Sequence, residues 1–254
     1  MIADWQDFPV ALPPMSRQKN FRFSELILHE DSDYLVVNKP PFLATLEDRV
    51  EDQNLLALAR EYEPEAQVAH RLDKDTSGVL AIARNPEAYR SLSMQFEHRT
   101  VVKVYHAIVD GRPDYQDEVV TARILKQPDG TVKLTARGKD AETRFTTLEI
   151  FHRQALIECR PLTGRMHQIR IHLASLGTPI TGDELYGGKP FLISSVKRNF
   201  RVKKGTEEEP LMKRMALHAH SLEFKGLDGR VVSCQAPYPK DFSALLRQLS
   251  ANRS

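Results

Sequence analysis

Between Val101 and Arg160 the chain passes through five β-rich segments with no helical segment among them. Strands are expected over Val101–Gly111, Val119–Leu125, Thr131–Thr135, Glu142–Phe151 and Ala155–Arg160, from their β-branched and aromatic content. PDGT at 128–131 is a turn, because proline presets φ and glycine accepts a positive one. A doubly wound fold interposes a helix between successive strands, so this run argues against one. The chain is read as α+β, with a mixed, mainly antiparallel central sheet flanked by helices and loops.

The flanking segments supply the helices. Tyr34–Pro40 is a short β-branched strand stopped by two prolines, and Val79–Arg84 is a buried strand. Leu55–Tyr62 is a short amphipathic helix. Asn85 is a fitting N-cap, with Pro86 at the first position of a helix reaching about His98. Tyr89, Ser93 and Phe96 share one of its faces, with Leu92 beside them. Arg165–Gly177 reads as a helix with Thr163 as N-cap and Gly177 as C-cap. Its apolar stripe is Met166, Ile169, Leu173 and Leu176. Met215–Phe224 returns to strand, Asp228-Gly229 is a hairpin turn, and Pro239–Ser250 is a closing helix. Residues 1–24, with Pro9, Pro13, Pro14 and the basic run RQKNFR, read as an arm and not a domain.

Composition removes several classes of protein. With 41% hydrophobic and 28% charged residues, the chain is neither mostly disordered nor fibrous. No apolar run approaches the ~18–20 residues that span a bilayer. The first residues lack a basic n-region, so no secretory signal is expected. Cys159 and Cys234 are the only cysteines, too few for a disulfide framework or a cysteine-built zinc site. A reducing, cytoplasmic setting is the expectation. Charge is uneven: residues 1–100 carry a net −6 and residues 151–254 a net +8. A basic half suggests a surface that meets a polyanion.

Two segments concentrate chemistry. In AHRLDKDTSGVLAI, residues 69–82, a polar cluster abuts a glycine and a buried strand, the placement typical of catalytic loops. An aspartate beside Arg and Lys stays ionised and can act as nucleophile or base; a capped polar turn has the same composition. HRLD invites a protein-kinase comparison, which fails for want of a glycine-rich loop and a DFG. In RPLTGRMHQIRIHLASLGTPITGDELYGG, residues 160–188, Arg165, His167, Arg170 and His172 gather at a helix start. Backbone amides and paired arginines there suit a phosphate or carboxylate, and a solvated basic face fits equally. His218 and His220 share one face of a strand, but no third metal ligand is identifiable. There is no P-loop, Rossmann fingerprint or GxSxG.

Taken together, these segments resemble the RluA family of RNA pseudouridine synthases. DSDYLVVNKP (31–40) looks like the family's early strand motif, and HRLDKDTSGVL (70–80) like the signature around its catalytic aspartate. KVYHAIVDG (103–111) is similar to the tyrosine motif, and PLTGRMHQIRIHLASLGTPITGDELYG (161–187) to the arginine motif. ALHAHSLEF and APYPKDF fit the closing pattern, so the resemblance spans about residues 26–246. One departure follows NKP, where the family usually has a small residue and then glycine; here stand Pro41 and Phe42.

The resemblance implies a pseudouridine synthase catalytic domain over 26–254, with its active-site cleft across the sheet, preceded by an extension over 1–25 too short for an S4 domain. It implies isomerisation of uridine in RNA: C1′–N1 breaks, the base turns, and C1′–C5 forms. Asp73 is the implied catalytic carboxylate; attack at C1′, attack at C6 and proton removal from C2′ all stay open. By the same resemblance, Arg71 fills the space left by the flipped base. Tyr105 stacks on the uracil and serves the proton at C5, Arg170 pairs with Asp73, and Ile169 packs on the base. His70 and Arg165 support phosphates or the loop. The expected partner is a stem-loop of ribosomal or transfer RNA, not DNA or membrane. The chain is expected to be monomeric and to need no cofactor or metal. The loop over 197–214, with seven Lys or Arg against three Glu, is expected to touch phosphates. Two competing readings are a non-catalytic RNA-binding or ribosome-assembly factor, and a metal hydrolase using His218 and His220.

Overall fold

The computed structural model describes residues 22–47, 53–197, 200–202 and 205–252. The expected extension over 1–25 lies outside them except for its last four residues. The strands are β1 (Ile27–Glu30), β2 (Tyr34–Lys39), β3 (Gln67–Val68), β4 (Ser77–Ala83), β5 (Val102–Asp110), β6 (Glu118–Lys126), β7 (Val132–Leu134), β8 (Lys139–Ile150), β9 (Gln154–Pro161), β10 (Leu217–Lys225) and β11 (Val231–Gln235). The α-helices are α1 (Leu55–Tyr62), α2 (Pro86–Glu97), α3 (Gln168–Ser175) and α4 (Lys240–Ala251). The strands form one sheet in the order β1-β2-β4-β10-β5-β9-β8-β6-β7, with β3 on β4 and β11 on β10. Only the β4–β10 pair is parallel among these. The α+β reading with a mixed, mainly antiparallel open sheet therefore describes the molecule.

The parallel junction is also where the sheet's halves meet. All seven residues of β4 are buried, as expected of a strand covered on both faces. Leu80 and Ile82 pack with Leu35 and Val37 of β2 and with Leu55, Leu58 and Ala59 of α1. Val79, Ala81 and Ala83 face the other way, onto Ala88 and Leu92 of α2. On the far half, Ala107 and Ile157 of the sheet share a core with Leu173 of α3 and Phe242 and Leu245 of α4. Asn54 and Asn85 cap α1 and α2 by accepting from Ala57 N and Ala88 N at 2.9 and 2.8 Å.

Two local expectations give way. Helix α3 starts at Gln168, three residues later than expected, because His167 is left-handed at φ 51°. Thr163 is not its N-cap: its hydroxyl accepts from Glu142 N and donates to Gln168 Oε1. In α2 the buried positions are Ala88 and Leu92, while Tyr89 is exposed, so the apolar face is rotated by one residue from the expected one.

Candidate active site

An open cleft lies between the loop ahead of β4, the strand β5 and the turn into α3. Six of the seven residues to which the resemblance gives a role line it: Arg71, Asp73, Tyr105, Arg165, Ile169 and Arg170; His167, from the cluster at the helix start, joins them. Asp73 sits on a loop whose backbone is unusually well held. Thr45 Oγ1 donates to Leu72 O at 2.9 Å and accepts from Leu72 N at 3.2 Å. Thr76 N closes a turn on Asp73 O at 3.0 Å. Lys74 O accepts from Phe42 N and from Lys39 Nζ, and Asp75 O accepts from Arg214 Nη1 at 2.8 Å. Four successive carbonyls thus have named donors, which removes conformational freedom from the residue between them.

The carboxylate of Asp73 faces two side chains from the α3 turn, one of them a guanidinium. Its Oδ2 lies 3.6 Å from Arg170 Nη1 and 3.9 Å from His167 Nε2. Arg170 spends its fork elsewhere: Nε and Nη2 donate to Asp183 Oδ2 and Oδ1 at 2.6 and 2.7 Å. The guanidinium also lies over the Tyr186 ring at 4.9 Å. Arg170 is therefore a fixed cation beside Asp73 and not its hydrogen-bonded partner. The hydrogen bonds further define His167. Val132 N donates to the Tyr186 hydroxyl at 3.1 Å, and that hydroxyl lies 2.8 Å from His167 Nδ1. That contact fixes the imidazole, with Nε2 turned towards Asp73 at 3.9 Å. Burial lowers the His167 pKa, as do Arg170 and Arg71, against the opposing pull of Asp73 and Asp183.

The remaining lining is built by β5 and the turn. Burial raises the Tyr105 pKa, and the charge of Asp73 adds to it, so the phenol keeps its proton. Lys103 Nζ reaches Thr163 O at 3.3 Å, and burial brings its pKa down to about 8. Gln168 pins the turn, accepting from Arg165 N and donating to Glu142 O and Thr143 Oγ1. Ile169 is buried, and Arg71 is exposed at the rim.

Residues 33–175 match the family described as RNA pseudouridylate synthase. The chain belongs to that family. An uncharacterized RNA pseudouridine synthase of Zymomonas mobilis is 34% identical over 228 residues, covering 86% of this chain and 96% of the relative. Ribosomal large subunit pseudouridine synthase D of Xanthomonas campestris is 36% identical over 243 residues, 88% of this chain and 69% of that one. The solved human RNA pseudouridylate synthase domain containing 4 has a TM-score of 0.69 at 26% identity, covering 90% of this chain and 94% of its own. As a pseudouridine synthase the chain is an isomerase of uridine in RNA.

Within this synthase, two histidines from the sequence reading stand apart from the cleft: His172 is buried with its Nδ1 3.0 Å from Thr143 Oγ1, and His70 lies behind the loop. His70 Nε2 accepts from Ala81 N at 3.0 Å, and its ring stacks on Phe96 at 4.4 Å. Burial brings its pKa down to about 3. It ties the loop that carries Asp73 to β4 and does not line the cleft. Arg165 lines the cleft with its Nε on Asp140 O at 3.0 Å. The basic loop over 197–214 is described only in part, and its last residue is not a surface cation. Arg214 is buried, its fork on Asp241 of α4 at 2.8 and 3.1 Å, and Nη2 also donates to Ser77 Oγ.

That network also answers the metal reading. Ser77 Oγ meets His218 Nδ1 at 2.9 Å, while His218 Nε2 meets Ala236 O at 3.1 Å. The Ala236 carbonyl only accepts, so Nε2 carries the proton, and His218 has no lone pair left for a metal. Lys39, Asp183, Tyr186 and Arg214 were not singled out from sequence as site residues. The Gly182-Asp183 pair ahead of a short helix was the one available signal.

Proposed function

We propose that this synthase flips a uridine out of a structured RNA, most directly ribosomal RNA, and rebuilds its glycosidic bond at C5 with Asp73 as the reacting carboxylate. The observation that carries the reading is the convergence of Asp73, Arg170, His167 and Tyr105 on one cleft, with Asp73 on a loop whose four successive carbonyls are secured. Extruding a stacked base costs a few kcal/mol. Arg71, exposed at the rim, is suited to occupy the vacated space, because its planar guanidinium both stacks and hydrogen-bonds. Ile169 supplies an apolar wall for the uracil. Tyr105, a protonated phenol beside it, can stack and serve the proton at C5. Arg170 places its positive charge 3.6 Å from the Asp73 carboxylate. Positive charge at the rim binds phosphate, so affinity falls as salt rises.

Ribosomal RNA is favoured because several relatives are named as large-subunit ribosomal synthases; transfer RNA is the other candidate. The chain is proposed to act as a monomer in the cytoplasm. A pseudouridine map of ribosomal and transfer RNA, from cells with and without the gene, tests the reading. One site is expected to vanish and to return with the wild type but not with Asp73→Ala. Restoration by Asp73→Ala would remove Asp73 from the chemistry.

A further inference from the structure

Phe42 stands beside the catalytic loop in a conformation that ordinarily selects glycine. Its φ is 66°, in the left-handed region that strains a bulky L-residue. Burial does not compensate, since the residue is 50% exposed. The backbone holds it there: Phe42 N donates to Lys74 O at 2.9 Å, and that carbonyl belongs to the residue after Asp73. Two further exposed residues accompany it. Leu46 follows Thr45, whose hydroxyl clamps Leu72, and Arg71 lines the cleft. A side chain that strains the backbone and stays in solvent adds little to the fold, so its use lies outside the chain.

We infer that Phe42 is a base-stacking residue, its ring taking the face of an unpaired nucleobase next to the uridine that enters the cleft. This rests on the reading of the cleft given above. An aromatic ring offers no donor to a phosphate, whereas every nucleobase has a π-face that it can cover. The neighbouring Arg71, exposed and lining the cleft, supplies charge that brings an RNA strand across this rim, a polar setting unlike the apolar patch of a protein interface. Phe42 thereby helps to select which RNA segment is accepted. Because the stack forms away from the reacting atoms, it acts on bound substrate and transition state alike, and so on KM and not kcat.

The test measures initial rates of pseudouridine formation on transcribed, unmodified large-subunit ribosomal RNA and on transcribed transfer RNAs. Wild type, Phe42→Gly, Phe42→Ala and Phe42→Trp are compared on whichever RNA the wild type converts. The Gly and Ala variants are expected to raise KM roughly tenfold with kcat within about twofold, and Trp to keep KM near wild type. Glycine relieves the strained φ, so the Phe42→Gly urea midpoint is expected to be no lower than that of wild type. A Gly variant with unchanged KM, a Trp variant as poor as Ala, or a lowered Gly midpoint each overturns the inference. Those outcomes require an active wild type. A wild type that converts no RNA overturns the cleft reading together with the inference.

Discussion

At Arg170 one guanidinium meets two carboxylates at unequal range, and the difference sets what each can do. Asp183 takes both parallel hydrogen bonds, so it is the anchor. Asp73 receives charge from 3.6 Å without being locked into a fork, which leaves its oxygens available to a sugar carbon or proton. His167 is fixed by a comparable division of labour, with the Tyr186 hydroxyl 2.8 Å from Nδ1 and Nε2 turned towards Asp73. Tyr186→Phe removes the hydrogen bond that fixes this ring beside Asp73. A loss of roughly tenfold in kcat is expected from initial rates of pseudouridine formation. An unchanged kcat would assign the Tyr186 hydroxyl to packing alone.

At the scale of elements, the strand junction governs. Gly78 has φ +116°, and a Cβ built there would meet Ala219 O at 2.0 Å. That contact sits on the only rung where β4 and β10 pair beyond His218 and Ser77. Gly78→Ala is expected to cost more than about 4 kcal/mol, from strain and backbone collision together. A urea midpoint within error of wild type would show that the sheet yields there. Helices were easier to place than their faces. Asn85 and Pro86 mark the start of α2 by local hydrogen bonding and a preset φ, whereas its buried side depends on where β4 and β10 lie. Helix α3 begins late for a similar reason: Gln168 and Thr163 are engaged with β8, and His167 turns left-handed to allow it. Strand β3, two residues long, has no period to read.

At the scale of the molecule, buried polar groups couple distant parts of the chain to the loop that carries Asp73. Arg214 links Asp241 of α4 to Asp75 O and Ser77, and Lys39 donates to Pro40 O, Leu43 O and Lys74 O from a fully buried position. Burial brings the Lys39 pKa down to about 7, with Arg214 adding to it. Several buried histidines share this dependence on neutrality. Burial brings His106 down to about 3 and His172 and His218 to about 4. Each binds a proton more readily unfolded, near pH 6.5, than folded. Their stabilising contribution is therefore complete above pH 6.5 and is lost as pH falls towards 4. By pH 5 each is expected to have given up roughly 1–2 kcal/mol. Urea denaturation at pH 7 and pH 5 checks the sign, and equal midpoints would contradict it.

The sequence by itself determined the fold class, the positions of all four helices and the loop that carries Asp73. Caps, turn residues and alternation are short-range signals, readable within a few positions. It also named six residues that meet in the cleft, because their motif blocks resemble the family's. Tertiary structure decided which of them touch. Arg170 turned to Asp183, His70 turned away to Ala81, and Arg214 left the charged loop for the core. Ser77 and His218 are 141 positions apart, and Arg214 and Asp75 are 139. A buried polar group must find its partner wherever the packed sheet brings one, and no local pattern in the chain encodes that meeting.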